Sequence, residues 1–388
     1  LYLCVMKLTL QIKLLPTQEQ FTFLKNTLIE ANTACNEISD IAFTKKLYNQ
    51  FKLHKEVYHP IKSSFNLSAQ MVVRCISKVT DSYKLDKKTK REFRPLGAIT
   101  YDARILSYVK EGISMWTVGG RLKIPFVCHN EKYIPYIKGE ADLVLKKGKF
   151  YIFQTVEVPE EDVKDIEEFI GCDFGLNTLV ATSDGINHSA EWLNTYREHR
   201  QKFRSSIQAK ADTSKRSTKR NCRKLSKRLS GKERTTVNLI NHTISKSIVA
   251  SAKEQGKGIS IEDLTNIRFT SKRRNKKFRT KLGKWNFADL RAKLEYKALL
   301  NGVKLVVVNP AYSSQTCCEC KHIGKRTNKV FKCTNINCKV DTIDADYNAS
   351  KVISLLGQTV NSAEKSTMYC SLHSLSGLKP IPSLCVGG

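Results

Sequence analysis

Four cysteines and three acids carry the chemistry that this sequence can perform. From Ser314 to Asn348 it reads SQTCCECKHIGKRTNKVFKCTNINCKVDTIDADYN. Cys317-x-x-Cys320 and Cys333-x4-Cys338 are two pairs of thiols flanking a polar loop around Gly324, the arrangement that closes a tetrahedral zinc site. Five cysteines fall within the 22 residues from 317 to 338, which argues against scattered free thiols. With four ligands no position stays open for water, so such an ion is structural. Cys318 is a spare thiol between two ligands.

The acids are Asp173 in IGCDFG, Glu262 in ISIEDL and Asp346 in DADYN, each at the edge of an apolar run. Singly, each has an ordinary reading as a turn residue, a strand-end charge or an acid favoured at a helix N-terminus. An ionised carboxylate beside buried strands is nevertheless costly unless it is paired or bound to cations. In chain order they are a strand Asp, a strand Glu and a helix-start Asp, with helices between. That layout holds two Mg2+ ions for phosphodiester hydrolysis, one activating water and the other stabilising the leaving 3′ oxygen.

The elements that must position these groups follow from periodicity. Leu8–Leu15 alternates as a half-buried strand and Pro16 ends it. A helical stripe starts near Thr17 and continues through Phe21, Leu24, Leu28 and Ile38, and another runs from Ser68 to about Tyr83. Between them HKEVYHPIKSSFN reads as a loop, whose His54 and His59 lack further ligands and count as surface residues. From Ile99, strand patterns separated by Gly-Gly and Lys-Gly turns suggest a small β-barrel with a helical insertion. Glu160–Glu168 reads as an acidic linker helix. Beyond it come the strands around Asp173, a basic helical stretch over 194–234, and a helix from Asn238 to Ala252. The strand of Glu262, a helix from Phe287, a strand over Val303–Val308 and a helix from Asp346 to Leu356 ended by Gly357 complete the pattern.

The 388 residues carry 66 Lys and Arg against 36 Asp and Glu, a net charge of +30, and a polyanion is the partner that relieves such an excess. No apolar run approaches the roughly 18 residues needed to span a bilayer. The opening LYLCV is too short for a signal-peptide core, and thirteen cysteines, an odd number, suit a reducing compartment. A cytoplasmic, nucleoid-associated protein without signal peptide or transmembrane segment is expected.

GCDFGLNTLVATSDG, ISIEDL, WNFADLRAKLEYKALLNGVKLVVVNPAYSSQTCCEC and DADYNAS together resemble the RuvC-like half of the transposon-encoded TnpB (OrfB) proteins, relatives of compact type V CRISPR effectors. The resemblance runs from about residue 168 to 357; the N-terminal half matches more weakly, through MKLTLQIKLLPTQEQ. It implies a multi-domain α/β protein. A wedge-like β-barrel (6–16 and 95–160) would hold a helical recognition insert (17–94), followed by an RNase H-like (RuvC) mixed-sheet nuclease domain (168–312 and 342–357), a zinc ribbon (313–341) and a loose tail (358–388).

The same resemblance implies an RNA-guided DNA endonuclease with two Mg2+ ions held by Asp173, Glu262 and Asp346, and one structural Zn2+ held by Cys317, Cys320, Cys333 and Cys338. Its partners would be a guide RNA derived from the transposon end and double-stranded target DNA beside a short adjacent motif. Arg220, Arg223, Lys224, Lys227 and Arg228, with Lys272, Arg273, Arg274, Lys276 and Lys277, would grip phosphates of the heteroduplex. Competing readings are a guide-RNA-dependent repressor that does not cut and a stand-alone structure-selective nuclease of the RuvC type. Two departures from the family pattern stand out. Asp344-Ala345-Asp346 replaces the common Asp-Arg-Asp, and the second cysteine pair is spaced by four residues where two is usual.

Overall fold

The computed structural model describes residues 5–110, 112–163, 166–265, 279, 282 and 287–361. The chain divides into two units, which meet in sequence between Pro159 and Glu160.

The first unit starts with β1 (Val5–Leu14), whose alternation buries Leu10, Ile12 and Leu14. Three helices follow: α1 (Gln18–Thr44), α2 (Gln50–Ser64) and α3 (Ala69–Leu85). α1 opens with a capping box, Thr17 accepting from the Gln20 amide while the Gln20 side chain accepts from Thr17 N–H. HKEVYHPIKSSFN belongs to α2 and is not a loop: Leu53, Val57 and Ile61 recur every four residues and are buried, and the Asn49 side chain caps the first turn. Pro60 masked this helix in the sequence, although it lies near the C-terminal end, where one lost hydrogen bond is tolerable. His54 sits on α2 with its ring stacked on Tyr58 at 4.8 Å.

Strands β2 (Ile99–Tyr101), β3 (Leu106–Val109), β4 (Gly112–Thr117), β5 (Gly120–Ile124), β6 (Phe126–Cys128), β7 (Ile137–Lys146) and β8 (Lys149–Pro159) complete the unit. They form two antiparallel sheets, β2-β7-β8-β1-β6 and β3-β4-β5. The expected closed barrel is absent among the described residues. The edge strands β2 and β6 are three residues long, and Pro125, which has no N–H to give to a ladder, separates β5 from β6.

The second unit is a mixed sheet between helical layers. Glu160–Glu168 is not helical among its described residues; Glu161 and Glu168 instead pair with Lys253 at 2.7 Å and Lys257 at 3.0 Å. Five strands follow in the order β11-β10-β9-β12-β13: β9 (Phe169–Asp173), β10 (Thr178–Thr182), β11 (Asn187–Ser189), β12 (Gly258–Glu262) and β13 (Leu305–Val308). β9, β12 and β13 are parallel, whereas β10 runs antiparallel to β9. The parallel strands read as short continuous apolar runs because helices cover both faces. On one face α6 (Lys232–Gln255) and α7 (Phe287–Leu300) bury Ile244, Ile248, Leu290 and Leu294 against Ile259 and Ile261. α4 (Glu191–Thr213) and α5 (Arg216–Leu229) precede α6.

On the other face lies α8 (Ala345–Asn361), which extends through Gly357 instead of ending there, so residues 358–361 belong to the helix and not to the tail. Gly357 is a contact point: a Cβ on it would stand 2.5 Å from Cβ of Ser260. Gly171 on β9 is tighter still, since a Cβ there would stand 1.9 Å from the Ser350 carbonyl oxygen. Residues 362–388 lie outside the described residues.

Candidate metal centres

The cysteine centre is built within one short stretch. β14 (Lys325–Thr327), β15 (Val330–Lys332) and β16 (Thr342–Asp344) form a small antiparallel sheet, with Phe331 fully buried beneath it. Beside it the sulfurs of Cys317, Cys320, Cys333 and Cys338 all lie within 4.8 Å of one another. Cys317 and Cys338 are 3.8 Å apart and Cys320 and Cys333 3.5 Å apart. The four-residue gap of the second pair is taken up by a turn in which Asn335 Oδ1 accepts from Asn337 N–H and its carbonyl from Cys338 N–H. Cys318 stays outside the group, its backbone N–H donating to Asn348.

The thiols are not equivalent. Burial pushes Cys317 up to about 12, while at Cys320 hydrogen bonds from the His322 backbone, Cys333, Cys338 and Asn335 outweigh burial and bring it down to about 6. Four cysteine sulfurs at this spacing match the donor set and geometry of a tetrahedral zinc site, which would hold them as thiolates.

The carboxylate centre is assembled from distant parts of the chain. Cys172 pairs with Ile261 across the parallel ladder, so Asp173 and Glu262, the next residues, finish adjacent strands side by side. Asp346 arrives from the first turn of α8. Asp344, the other acid of the motif, caps that helix by accepting from the N–H groups of Asp346 and Tyr347 at 3.0 and 2.9 Å. The structure thus brings the three expected acids together and gives the fourth a structural task.

The electrostatics of the cluster are strained. Burial, then the charges of Glu262, Asp346 and Asp344, push the Asp173 carboxyl up to about 8, against the pull of Arg326. Glu262 is also raised, by burial, and only partly relieved by the Ser313 hydroxyl and Arg326. Neighbouring carboxylates in a partly dehydrated site disfavour one another's ionised forms.

Three supporting residues escaped the sequence reading. Arg326, on β14 of the cysteine-bearing sheet, donates to Asp346 Oδ1 at 2.6 Å, and Thr178 donates to Asp346 Oδ2 at 2.9 Å. The Ser313 hydroxyl donates to Glu262 Oε1. An arginine missing from the Asp344-Ala345-Asp346 motif is thereby supplied from another element. Ala345 is itself fully buried against Cys317 and Phe331, where a long charged side chain would not fit.

Of the expected phosphate-gripping residues, Arg220, Arg223, Lys224, Lys227 and Arg228 are exposed on α5; Lys272, Arg273, Arg274, Lys276 and Lys277 lie outside the described residues. No helix of the described residues is long and apolar enough to cross a membrane.

A mixed sheet between helical layers, carrying clustered acids and joined to a four-cysteine ribbon, defines the class of protein to compare. Residues 287–353 match the family described as Cas12f1-like, TNB domain. Over 289 residues the chain is 29% identical to a TnpB-like protein of Methanocaldococcus jannaschii, covering 71% of this chain and 94% of the other. It is 30% identical over 273 residues to the CRISPR-associated endodeoxyribonuclease Cas12f1 of Syntrophomonas palmitatica, 58% of this chain and 52% of that one. The chain thus spans about half the length of the Cas12f1 relative. A cryo-EM structure of a Cas12f1–sgRNA–target DNA complex shares the fold, with a TM-score of 0.50 and 14% identity over 87% of this chain and 83% of that one. The chain is a relative of the TnpB-like and Cas12f proteins, as its motifs indicate.

Proposed function

We propose that this protein is a TnpB-like RNA-guided DNA endonuclease that hydrolyses phosphodiester bonds in a RuvC-like site. The observation that carries the reading is the convergence of Asp173, Glu262 and Asp346, where burial and the neighbouring acids push the Asp173 carboxyl up to about 8. The strand order, with one antiparallel strand beside three parallel ones, supports an RNase H-like domain over 168–312 and 342–357. The sheets and helices before residue 160 would serve as wedge and recognition insert, and 313–341 as the zinc ribbon. The relatives named endodeoxyribonucleases and the net charge of +30 favour a guide RNA and target DNA as partners.

Two Mg2+ ions held by the three acids would activate the attacking water and stabilise the leaving oxygen. The chain's own residues prepare for that. Thr178 and Arg326 fix both oxygens of Asp346, and Ser313 orients Glu262. Burial keeps the dielectric low, so each charge acts strongly on the phosphate.

The test is to purify the protein, sequence the RNA that accompanies it, and incubate the complex with matching duplex DNA and Mg2+. A discrete RNA and cuts that disappear in Asp173→Ala are expected. Absence of any discrete RNA, or cutting retained by Asp173→Ala, overturns the proposal.

A further inference from the structure

Trp192 is a large apolar side chain left 63% exposed on the first turn of α4. It is not a stray surface residue. Its ring lies parallel to that of Tyr196, one helical turn on, with centroids 5.4 Å apart and planes within 7°. Tyr196 is half-buried and packs against the core of the second unit, so it is a fixed backing plate. One face of the indole is therefore covered by Tyr196, and its exposure comes from the opposite face and edge. A flat, rigidly backed, solvent-facing indole is the surface on which an unpaired base stacks.

Its placement says which nucleic acid it would meet. The first turn of α4 is pinned over the β9–β10 turn that follows Asp173: Ala190 N–H donates to the Asn177 carbonyl at 2.9 Å and the Asn194 amide to the Leu176 carbonyl at 3.2 Å. Ser189, just before the helix, pairs with Thr178, the residue whose hydroxyl holds Asp346. Trp192 therefore stands within roughly 15 Å of Thr178, a few nucleotides from the clustered acids. α5, which packs on α4, offers seven Lys and Arg and no acid, complementary to a phosphate backbone.

We propose that Trp192, backed by Tyr196, is a stacking platform for an unpaired base of the DNA strand lying next to the phosphodiester that the acids address. The inference rests on the acid cluster being a DNA-cutting site. A duplex keeps its bases stacked on each other, so only a single strand gains from the platform. The role is to hold the strand in register, not to take part in the chemistry.

Binding can be read without cutting. In an Asp173→Ala background, the full-length protein with its accompanying RNA is titrated with a fluorescein-labelled single-stranded oligodeoxythymidine, and with a duplex of the same length. Salt is set high enough to suppress bare phosphate contacts. Trp192→Leu, which still covers Tyr196 but lacks a π face, should weaken single-strand binding about ten-fold, while Trp192→Phe stays within about three-fold of the parent. Duplex binding should not change.

Equal single-strand affinity in Trp192→Leu overturns the proposal. So does an equal loss for single strand and duplex, or a loss confined to an oligouridine RNA probe. Because the background does not cut, a protein that turns out not to be a nuclease would show itself in the parent cleavage assay and not in this titration.

Discussion

The two candidate metal centres of the second unit are built in opposite ways. The cysteine centre draws its four ligands from 22 consecutive residues and needs only a hairpin sheet with Phe331 beneath it. The carboxylate centre collects Asp173, Glu262 and Asp346 from two strands and a helix, and exists only when the whole sheet is formed. A locally built site tolerates rearrangement elsewhere in the fold, whereas an assembled one depends on every element between its ligands. The two are nonetheless joined. Arg326 leaves the ribbon to hold Asp346, and Asn348 on α8 bonds both Cys318 N–H and the Thr316 carbonyl.

If that contrast is right, the largest effects belong to the assembled centre. Replacing Asp173, Glu262 or Asp346 by Ala should lower cleavage by roughly 10^3-fold or more while guide and target binding persist, read by rate and by gel shift side by side. Arg326→Ala comes next. It should cost about 10^2-fold in cleavage, as loss of one charge-stabilising donor does, with Lys a poor replacement because it cannot form the same fork. An Arg326→Ala enzyme that cuts at the parent rate would break the link between the two centres.

Cys320→Ser then tests the local centre: bound zinc, measured by metal analysis of the protein, should be lost, and cleavage should fall by about 10- to 100-fold through the displaced Arg326. Unchanged cutting by a zinc-free variant would show the ribbon to be an independent module. The smallest effect is on stability. In Mg2+-free buffer Asp173 has a native pKa near 8 against an ordinary 3.8, so the native state keeps a proton that the unfolded chain releases. Stability from this group is therefore lost as pH rises from about 4 towards 8. Asp173→Asn should raise the melting temperature at pH 8 more than at pH 5, by roughly 2–4 °C for each kcal/mol of the burial and repulsion cost removed. A melting shift equal at both pH values would contradict the raised Asp173 pKa.

The same contrast explains what could be read without a structure. The cysteine cluster was legible because spacing alone defines a local group, and the meeting of the acids because each stands at the edge of an apolar element. Arg326, Thr178 and Ser313 left no such mark: their partners are 20, 168 and 51 residues away. In the first unit, Pro60 hid a helix whose stripe of Leu53, Val57 and Ile61 was otherwise plain. Strand patterns were recognised, but three-residue edges decide closure through pairing, which no periodicity reports. At the end of α8, Gly357 carried the ordinary signal of a helix stop and was instead chosen for thinness against Ser260.

That thinness has a geometric consequence. Gly171 and Gly357 let α8 lie directly on β9 and β12, with Ser354 Oγ bonded to the Phe169 carbonyl and Ser260 Oγ to the Ile353 carbonyl. The spacing of Asp346 from Asp173 and Glu262 is therefore set by backbone thickness and not by adjustable side chains. A side chain at either glycine would force the helix off the sheet and carry Asp346 away from Asp173 and Glu262. Two glycines thereby constrain where the three carboxylates meet as firmly as the acids themselves.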